Sequence, residues 1–239
     1  MEQSLDDPQS SEHTESKVPQ QTLPEERVFP ALKLVCQRFD IPREYLFRVI
    51  DGVACDLVPQ VRMKTLDETL LYCDRVAGAV GQATLAVFGC DKPLEVPEIH
   101  NAAIACGRAF QWTNFLRDIG EDIKTDRVYF PLTDFESVGL SLEMFKSIPD
   151  RANTNMLAFF RLQNERTCRF YEESESLLDH VNRDSRDVYN LMRRRYRLVF
   201  ETLRNDNFQA FHKRVRLSFL NKIKLLVPCL LGIVNVQHH

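Results

Sequence analysis

Residues 111–122 read Gln-Trp-Thr-Asn-Phe-Leu-Arg-Asp-Ile-Gly-Glu-Asp, and they combine a helical period with an unusual set of polar side chains. The segment contains no Pro and one Gly, and its apolar residues recur at helical spacing. Positions three or four apart on a helix share a face. That spacing predicts one polar stripe, which consists of Gln111, Asn114, Asp118 and Asp122.

The chemistry of this stripe points toward a metal ion. It carries two carboxylates one turn apart and two amides on the turns before them. A solvated helix face more often mixes charge signs, with Lys or Arg four residues on. Carboxylate and amide oxygens suit Mg²⁺, which typically binds one or two carboxylates plus substrate phosphates. The stripe alone leaves two interpretations open, a charged outer face and a magnesium site.

A basic, aromatic segment follows the acidic end of this helix, with the sequence Ile-Lys-Thr-Asp-Arg-Val-Tyr-Phe-Pro at residues 123–131. Pro131 and the β-branched and aromatic residues before it favour an extended exit from the helix. Arg117, Lys124 and Arg127 can face a phosphate while the carboxylates face a metal ion. The segment therefore adds an anion-binding side to the stripe.

Length and composition describe an ordinary globular protein. The chain has 239 residues, of which 44% are hydrophobic and 27% charged, and this length fits one domain or two small ones. A net charge of −3 argues against a general nucleic-acid binder. The seven cysteines include no CxxC pair and are typical of reduced core thiols. With no signal peptide and no apolar run as long as a membrane span, we expect a cytoplasmic protein.

The helical period extends along most of the chain. Residues 1–27 are rich in Ser, Gln, Glu, Asp and Pro and are predicted to be a disordered polar tail, whereas 28–239 are predicted to form one all-α domain. Pro30 is expected near the start of the first helix. Thr65 begins a capping box ahead of a helix that reaches Phe88. No alternating strand pair is convincing.

Two further segments leave alternatives open. Most of residues 77–83 are small. Such a segment can pack closely against another helix, or it can form the wall of a substrate channel. The apolar residues 225–234 are about half as long as a membrane span and follow a basic cluster. A buried core helix is the favoured interpretation of that segment, and peripheral membrane contact stays open.

Residues 107–131 strongly resemble the second aspartate-rich region of the squalene/phytoene synthase family. Residues 72–81, Tyr-Cys-Asp-Arg-Val-Ala-Gly-Ala-Val-Gly, look like a second family signature. Tyr196 and residues 214–218 are similar to the family's C-terminal helices. The resemblance covers about residues 29–235, in the order of the family's own segments.

The resemblance implies a single-domain, all-α isoprenoid (terpenoid) synthase bundle and a prenyltransferase activity. In that family two prenyl diphosphates, farnesyl or geranylgeranyl, condense head to head through a cyclopropyl diphosphate intermediate. Mg²⁺ ions held by two aspartate motifs bind the diphosphates. The products are of the squalene or phytoene type, in isoprenoid, carotenoid and hopanoid biosynthesis, and NADPH is implied only for squalene.

The resemblance also implies roles for individual residues. The expected metal ligands are Asn114, Asp118 and Asp122. The expected catalytic residues are Tyr72, Arg117 and Tyr196. The expected substrate-binding residues are Gln111, Asn114, Arg127, Ala77 and Val80.

One departure from the family pattern concerns the first DxxxD motif, which the family carries upstream of the region matching Phe29. The only aspartates among residues 1–28 are Asp6 and Asp7, and they lie in a polar segment. We therefore expect an N-terminally shortened bundle. Two interpretations stay open, an enzyme whose start is truncated or misassigned, and a non-catalytic family member that acts as a binding or regulatory subunit. A partner subunit that supplies the missing helices is a further expectation.

Overall fold

The computed structural model describes residues 24–147, 151–205 and 210–216, and helices dominate them. The predicted all-α fold is confirmed. The α-helices of the described residues are α1 Pro24–Arg38, α2 Arg43–Ala54, α3 Leu66–Cys73, α4 Ala79–Phe88, α5 Pro97–Lys124, α6 Leu132–Ser137, α7 Leu142–Lys146, α8 Thr154–Glu173, α9 Leu177–His180 and α10 Arg183–Asn205. A 3₁₀ turn, Cys55–Leu57, follows α2, and a π-helical turn, Asp74–Gly78, joins α3 to α4.

Some sequence-based expectations fall on parts of the chain beyond this description. Residues 1–23 of the predicted polar tail lie outside the described residues, as does the apolar segment 225–234. Within the described ranges no helix is both long enough and apolar enough to cross a membrane. The six cysteines that the structure describes are free thiols.

The prediction that Pro30 starts the first helix is wrong, because α1 begins at Pro24 and Pro30 lies inside it. Pro24 takes the N-terminal position, where the missing N–H of proline needs no partner. A proline in a helix interior removes one backbone hydrogen bond. Two prolines six residues apart cannot be ranked as helix starts from the local sequence.

A two-stranded parallel sheet is the element that the sequence analysis did not predict. Strand β1, Val61–Met63, pairs with β2, Arg127–Pro131, in the register Val61 to Arg127. Three residues are too few to show an alternating pattern, so β1 carries no sequence signal of its own. The extended exit predicted before Pro131 is confirmed as β2.

Helix α5 is the centre of the fold. It runs for 28 residues and packs against α4, α8 and α10. Trp112 and Leu116 are fully buried on its core face. The four residues of the polar stripe are partly buried and none of them is fully exposed. The stripe is therefore not a freely solvated outer face.

A buried polar network connects α5 to α6 and α8. The indole N–H of Trp112 donates to Gln163 Oε1 at 3.1 Å, and Gln163 Nε2 donates to Asp134 Oδ2 at 2.9 Å. Arg166 forms an ion pair with Asp134, in which Nη2 lies 3.1 Å from Oδ1. The Arg166 guanidinium also lies 5.1 Å from the centre of the Trp112 ring. This network fixes the position of the helix that carries the stripe.

We expect Asp134→Ala to lower the free energy of unfolding by about 3–5 kcal/mol, since it leaves the Arg166 charge buried without its partner. The two side chains are only 9% and 11% exposed. Glu201→Ala, which breaks the exposed pair with Arg197, is the matched control and should cost less than about 1 kcal/mol. Denaturant unfolding followed by the fluorescence of Trp112, the one tryptophan of the chain, measures both. Equal losses in the two variants would contradict this prediction.

Candidate functional site

An apolar cavity of about 290 Å³ lies between the helix pair α4–α5 and helices α9 and α10. Five of the residues predicted to bind or face substrate line it, and these are Ala77, Val80, Gln111, Asn114 and Tyr196. They come from the π-helical turn, α4, α5 and α10, and together they span more than 100 residues of sequence. The structure thus places these five residues around one cavity.

Close backbone contact explains why small residues border this cavity. A Cβ atom added to Gly107 would lie 2.7 Å from the backbone nitrogen of Gly78, so only glycine fits where α5 crosses the π-helical turn. Ala77, Val80 and Gly81 line the cavity beside this contact. Close helix packing is thus confirmed at Gly107 and Gly78, and the wall of a substrate channel stays a prediction for Ala77, Val80 and Gly81.

The mouth of the cavity carries amide groups from α5. Asn114 Nδ2 donates to Gln111 Oε1 at 3.4 Å. The other oxygen of this pair, Asn114 Oδ1, is buried and has no hydrogen-bond partner within the described residues. A buried acceptor without a donor is costly, and it suits a ligand that brings a positive charge or a donor.

Asp118, one turn further along α5, is bound by two guanidinium groups. Arg117 contacts both of its carboxylate oxygens, at 2.8 and 2.6 Å. Arg214 Nε lies 2.8 Å from Asp118 Oδ1 and reaches it from the segment 210–216. That segment lies directly on α5 because Gly120 has no side chain, since a Cβ there would be 2.4 Å from a backbone oxygen. The predicted phosphate contact Arg117 is thus paired with the predicted metal ligand Asp118.

Asp122, the last residue of the stripe, is an unusually weak acid. Burial raises its pKa to about 7, and the neighbouring Asp118 adds to this effect. Arg127 acts in the opposite direction and is too weak to cancel it. Among the residues that the structure describes, no strong cationic partner offsets this burial.

Asp56 and Tyr129 belong to the site although the sequence analysis did not assign them a role. Tyr72 donates to Asp56 Oδ2 at 3.0 Å, and Tyr129 donates to Asp56 Oδ1 at 2.8 Å. Burial raises the pKa of both tyrosines, so their hydroxyls are neutral donors. Arg127, predicted to bind substrate, donates to the backbone oxygen of Asp56 at 3.2 Å. The sequence feature that could have identified Asp56 is the position of its carboxylate next to the apolar residues Leu57 and Val58.

The predicted site residues therefore form two neighbouring groups. Gln111, Asn114 and Tyr196 lie on the apolar cavity. Tyr72 lies with Asp56 and the β2 strand, and the charge of Asp56 contributes to the raised pKa of Asp122. Helix α5 connects the two groups, because Asn114 and Asp122 lie about two turns apart on it.

A basic cleft of about 750 Å³ lies further along α5, between Arg117 and Lys124. Its cationic side chains are Arg117, Lys124, Lys213, Arg214 and Arg216. Glu121 also lines it. Cations gathered beside an acidic stripe provide a field that attracts an anion such as a phosphate.

The donor set fits Mg²⁺ when a substrate supplies further oxygens. Asn114, Asp118 and Asp122 offer one amide oxygen and two carboxylates, and Mg²⁺ commonly takes one or two carboxylates plus phosphate oxygens. The orphaned Asn114 Oδ1 and the raised pKa of Asp122 both favour an added cation. No group of three or more His, Cys, Asp or Glu side chains within the described residues could hold a metal ion by itself.

The architecture is the all-α fold of isoprenoid synthases. A dehydrosqualene synthase crystal structure superposes with a TM-score of 0.74 at 26% identity, over 85% of this chain and 69% of the other. The squalene synthase HpnC from Alicyclobacillus acidocaldarius superposes with a TM-score of 0.68 at 24% identity, over 75% of this chain and 66% of its own, and supports the fold alone.

The chain belongs to the squalene/phytoene synthase family, which it matches over residues 1–221. It is 32% identical over 200 residues to phytoene synthase 2 of Oryza sativa subsp. japonica, covering 82% of this chain and 48% of that relative. It is 33% identical over 192 residues to the presqualene diphosphate synthase of Sinorhizobium fredii, covering 79% and 65%. The chain thus spans about half the length of the plant relatives it matches.

Proposed function

We propose that this chain is a Mg²⁺-dependent prenyltransferase that condenses two prenyl diphosphates head to head into a squalene- or phytoene-type product. The observation that carries the proposal is the adjacency, along α5, of an apolar cavity and an oxygen-rich polar stripe. The substrates are farnesyl or geranylgeranyl diphosphate. NADPH is required only if the product is squalene.

The residues of the stripe would bind the diphosphate end of the substrate. Asn114, Asp118 and Asp122 would hold Mg²⁺, which when bound supplies positive charge that stabilises the departing diphosphate. Arg117 and Arg127 would add hydrogen bonds to phosphate oxygens as negative charge develops there. Tyr72 would provide a neutral hydroxyl beside the leaving group, because its pKa is raised by burial.

The apolar cavity would hold the prenyl chain and keep water from the cation that diphosphate departure leaves. The ring of Tyr196 stacks on Phe110, with centroids 4.1 Å apart, and Tyr196 lines the cavity. An aromatic face attracts a cation by its quadrupole and offers no nucleophile. Ala77 and Val80 would contribute apolar side chains to the cavity wall, which would disfavour competing hydrolysis.

A second candidate function, a non-catalytic binding or regulatory subunit, is favoured by an exposed apolar surface on α2 and the turn after it. Phe47, Ile50 and Leu57 are 61%, 62% and 82% exposed. Large apolar side chains in such a group are typical of a surface that another chain or a membrane covers. A partner subunit that supplies helices against this surface, or peripheral membrane contact, is part of this proposal.

Incubation of the purified chain with Mg²⁺ and each prenyl diphosphate, with and without NADPH, tests the proposal. We expect release of inorganic diphosphate and a hydrocarbon or cyclopropyl diphosphate product. Asp118→Ala should abolish release, whereas Asp187→Asn, an exposed carboxylate on α10, should leave it unchanged.

The alternatives give different results in this assay. Mg²⁺-dependent diphosphate binding without turnover of either substrate contradicts the enzyme and supports the binding subunit. Turnover that survives Asp118→Ala contradicts the role of the stripe. Absence of both turnover and binding contradicts both candidate functions.

A further inference from the structure

We infer that Asp74 and Arg108 are positioning residues for the proposed reaction, because their ion pair holds the π-helical turn that directs Tyr72 toward the site. The inference rests on the proposed function for the role of Tyr72. It goes further by naming the residues that set the direction of this side chain. Asp74 and Arg108 themselves belong neither to the lining of the apolar cavity nor to the polar stripe.

Helix α5 is contacted from both sides of the π-helical turn. Before the turn, the ring of Tyr72 stacks on Phe115 of α5, with centroids 6.1 Å apart. After the turn, a Cβ on Gly81 of α4 would lie 3.8 Å from the backbone oxygen of Ala103 of α5. Tyr72 and the cavity wall on α4 therefore face the same helix.

An unbroken α-helix from α3 to α4 would not produce this arrangement. Thr84 and Phe88, which line the cavity, follow Tyr72 by 12 and 16 residues. At about 100° per residue, an α-helix would place them about 120° and about 160° away from Tyr72 around its axis. A π-helical turn holds about one residue more than an α-helical turn, which reduces these angles to about 20° and about 60°. The turn therefore brings Tyr72 to the side of the helix that lines the cavity.

Arginines from two other helices bind Asp74, the first residue of the turn. The backbone oxygen of Asp74 accepts the N–H of Ala79, five residues further on, which is the hydrogen bond of a π-helix. Arg48 Nη2, from α2, donates to the same oxygen at 3.2 Å. Arg108, from α5, donates through Nε to Asp74 Oδ1 and through Nη2 to Asp74 Oδ2, each at 2.7 Å. Such a two-point contact fixes the direction of the carboxylate as well as its distance.

The ion pair stabilises the π-helical form of the turn against the α-helical form. The side chains of Arg108 and Asp74 are 25% and 19% exposed, so water competes only weakly for their charges. Conversion to an α-helical turn would rotate Asp74 by about 100° relative to α4 and away from Arg108. Tyr72 would rotate with it, away from the carboxylate of Asp56 to which it donates. Loss of the ion pair therefore favours a form in which Tyr72 faces away from the site.

Fluorine NMR of the chain with 3-fluorotyrosine at its six tyrosines tests the position of Tyr72 without any substrate. The resonance that disappears in Tyr72→Phe belongs to Tyr72. Arg108→Met should shift this resonance toward its position in the unfolded chain, because the ring leaves its packed environment. Arg108→Lys and Asp74→Asn retain part of the contact and disturb the fold less, and they should shift the resonance in the same direction by a smaller amount.

Kinetics of diphosphate release distinguish positioning from a general loss of stability. With Mg²⁺ and a prenyl diphosphate, Tyr72→Phe and Arg108→Met should each lower kcat by about 10- to 100-fold with nearly unchanged KM, since a misplaced group costs about that much. The double variant should lose no more than Tyr72→Phe alone. Two residues that act through one group are not additive, whereas independent effects multiply.

Arg193→Met is the matched control, because it removes a comparable ion pair from another helix. Arg193, on α10, donates to Glu175 at 2.8 Å, and its side chain is 19% exposed. This variant should change neither the Tyr72 resonance nor kcat.

The possible results separate the inference from the proposed function. An unchanged Tyr72 resonance in the folded variants of Arg108 and Asp74 overturns the inference and leaves the proposed function standing. Losses in kcat that multiply in the double variant, or an equal shift of the resonance in Arg193→Met, have the same meaning. Absence of turnover by the native chain overturns the proposed function and, with it, the role of Tyr72, whatever the spectra show.

Discussion

Asp122→Asn is expected to weaken Mg²⁺-dependent binding of inorganic diphosphate by about 100-fold or more and, without metal, to raise the Tm at pH 8. The loss of binding follows from removing one of the two carboxylates on the stripe. Even residues that only support metal ligands contribute about 10- to 100-fold to metal affinity. Isothermal titration with diphosphate and Mg²⁺ measures the first effect, and thermal unfolding in chelator measures the second.

The rise in Tm follows from the raised pKa of Asp122. Burial and the charge of Asp118 move its pKa from an ordinary value near 3.8 to about 7 in the folded chain. The unfolded chain releases this proton first, so ionisation favours unfolding as the pH rises from about 4 to 7. Asp122 therefore lowers stability most above pH 7, and asparagine removes that cost. The Tm difference should be near zero at pH 4 and several degrees at pH 8.

A matched variant separates this effect from a general loss of charge. Asp187→Asn removes an exposed carboxylate from α10 and should change neither diphosphate binding nor the pH dependence of the Tm. A Tm difference for Asp122→Asn that is the same at pH 4 and pH 8 would refute the electrostatic explanation. Unchanged diphosphate affinity in Asp122→Asn would refute its role as a metal ligand.

Gly107→Ala is expected to lower the free energy of unfolding by more than about 3 kcal/mol or to prevent folding. The added Cβ would lie 2.7 and 2.8 Å from backbone atoms of Gly78, and 2.9 Å from the backbone carbon of Ala77. Backbone atoms cannot rotate away as the end of a flexible side chain can. Helix α5 would have to separate from the π-helical turn, which would also open the cavity between them.

Gly81→Ala is the control for this substitution, since it adds the same methyl group to another helical glycine that lines the same cavity, on α4 instead of α5. Its nearest new neighbour is the backbone oxygen of Ala103 at 3.8 Å, an ordinary contact. Alanine also favours a helix over glycine by about 0.5–1 kcal/mol. We expect Gly81→Ala to be neutral or stabilising in denaturant unfolding followed by Trp112 fluorescence. Comparable destabilisation of both variants would contradict the argument from close approach.

The local sequence determined the central helix and the chemistry it carries. The helical period of residues 111–122 predicted a helix there, and the structure confirms it as part of α5. The spacing of Asn114, Asp118 and Asp122 predicted their stripe, because a helix imposes the same geometry wherever it lies. Pro131 and its neighbours predicted the extended segment that became β2. Each of these inferences needs only residues close together in the chain.

Tertiary packing alone decided which distant residues meet. Asp56 lies 73 residues before Tyr129, and Asp118 lies 96 residues before Arg214, yet each pair shares a hydrogen bond or ion pair. No periodic pattern specifies such contacts, since a pattern shows a face and not its partner. The raised pKa of Asp122 likewise depends on burial and charge contributed by other elements.

The cavity shows most clearly what the local sequence determines and what only tertiary packing decides. Small residues at 77–83 were visible in the sequence with two possible uses, close packing and a channel wall. Only the packing of the π-helical turn and α4 on α5 shows that Gly78 provides the close contact, whereas Ala77 and Val80 line the cavity. Sequence determines which side chains a helix presents, whereas the packing of one helix against another determines the space left between them.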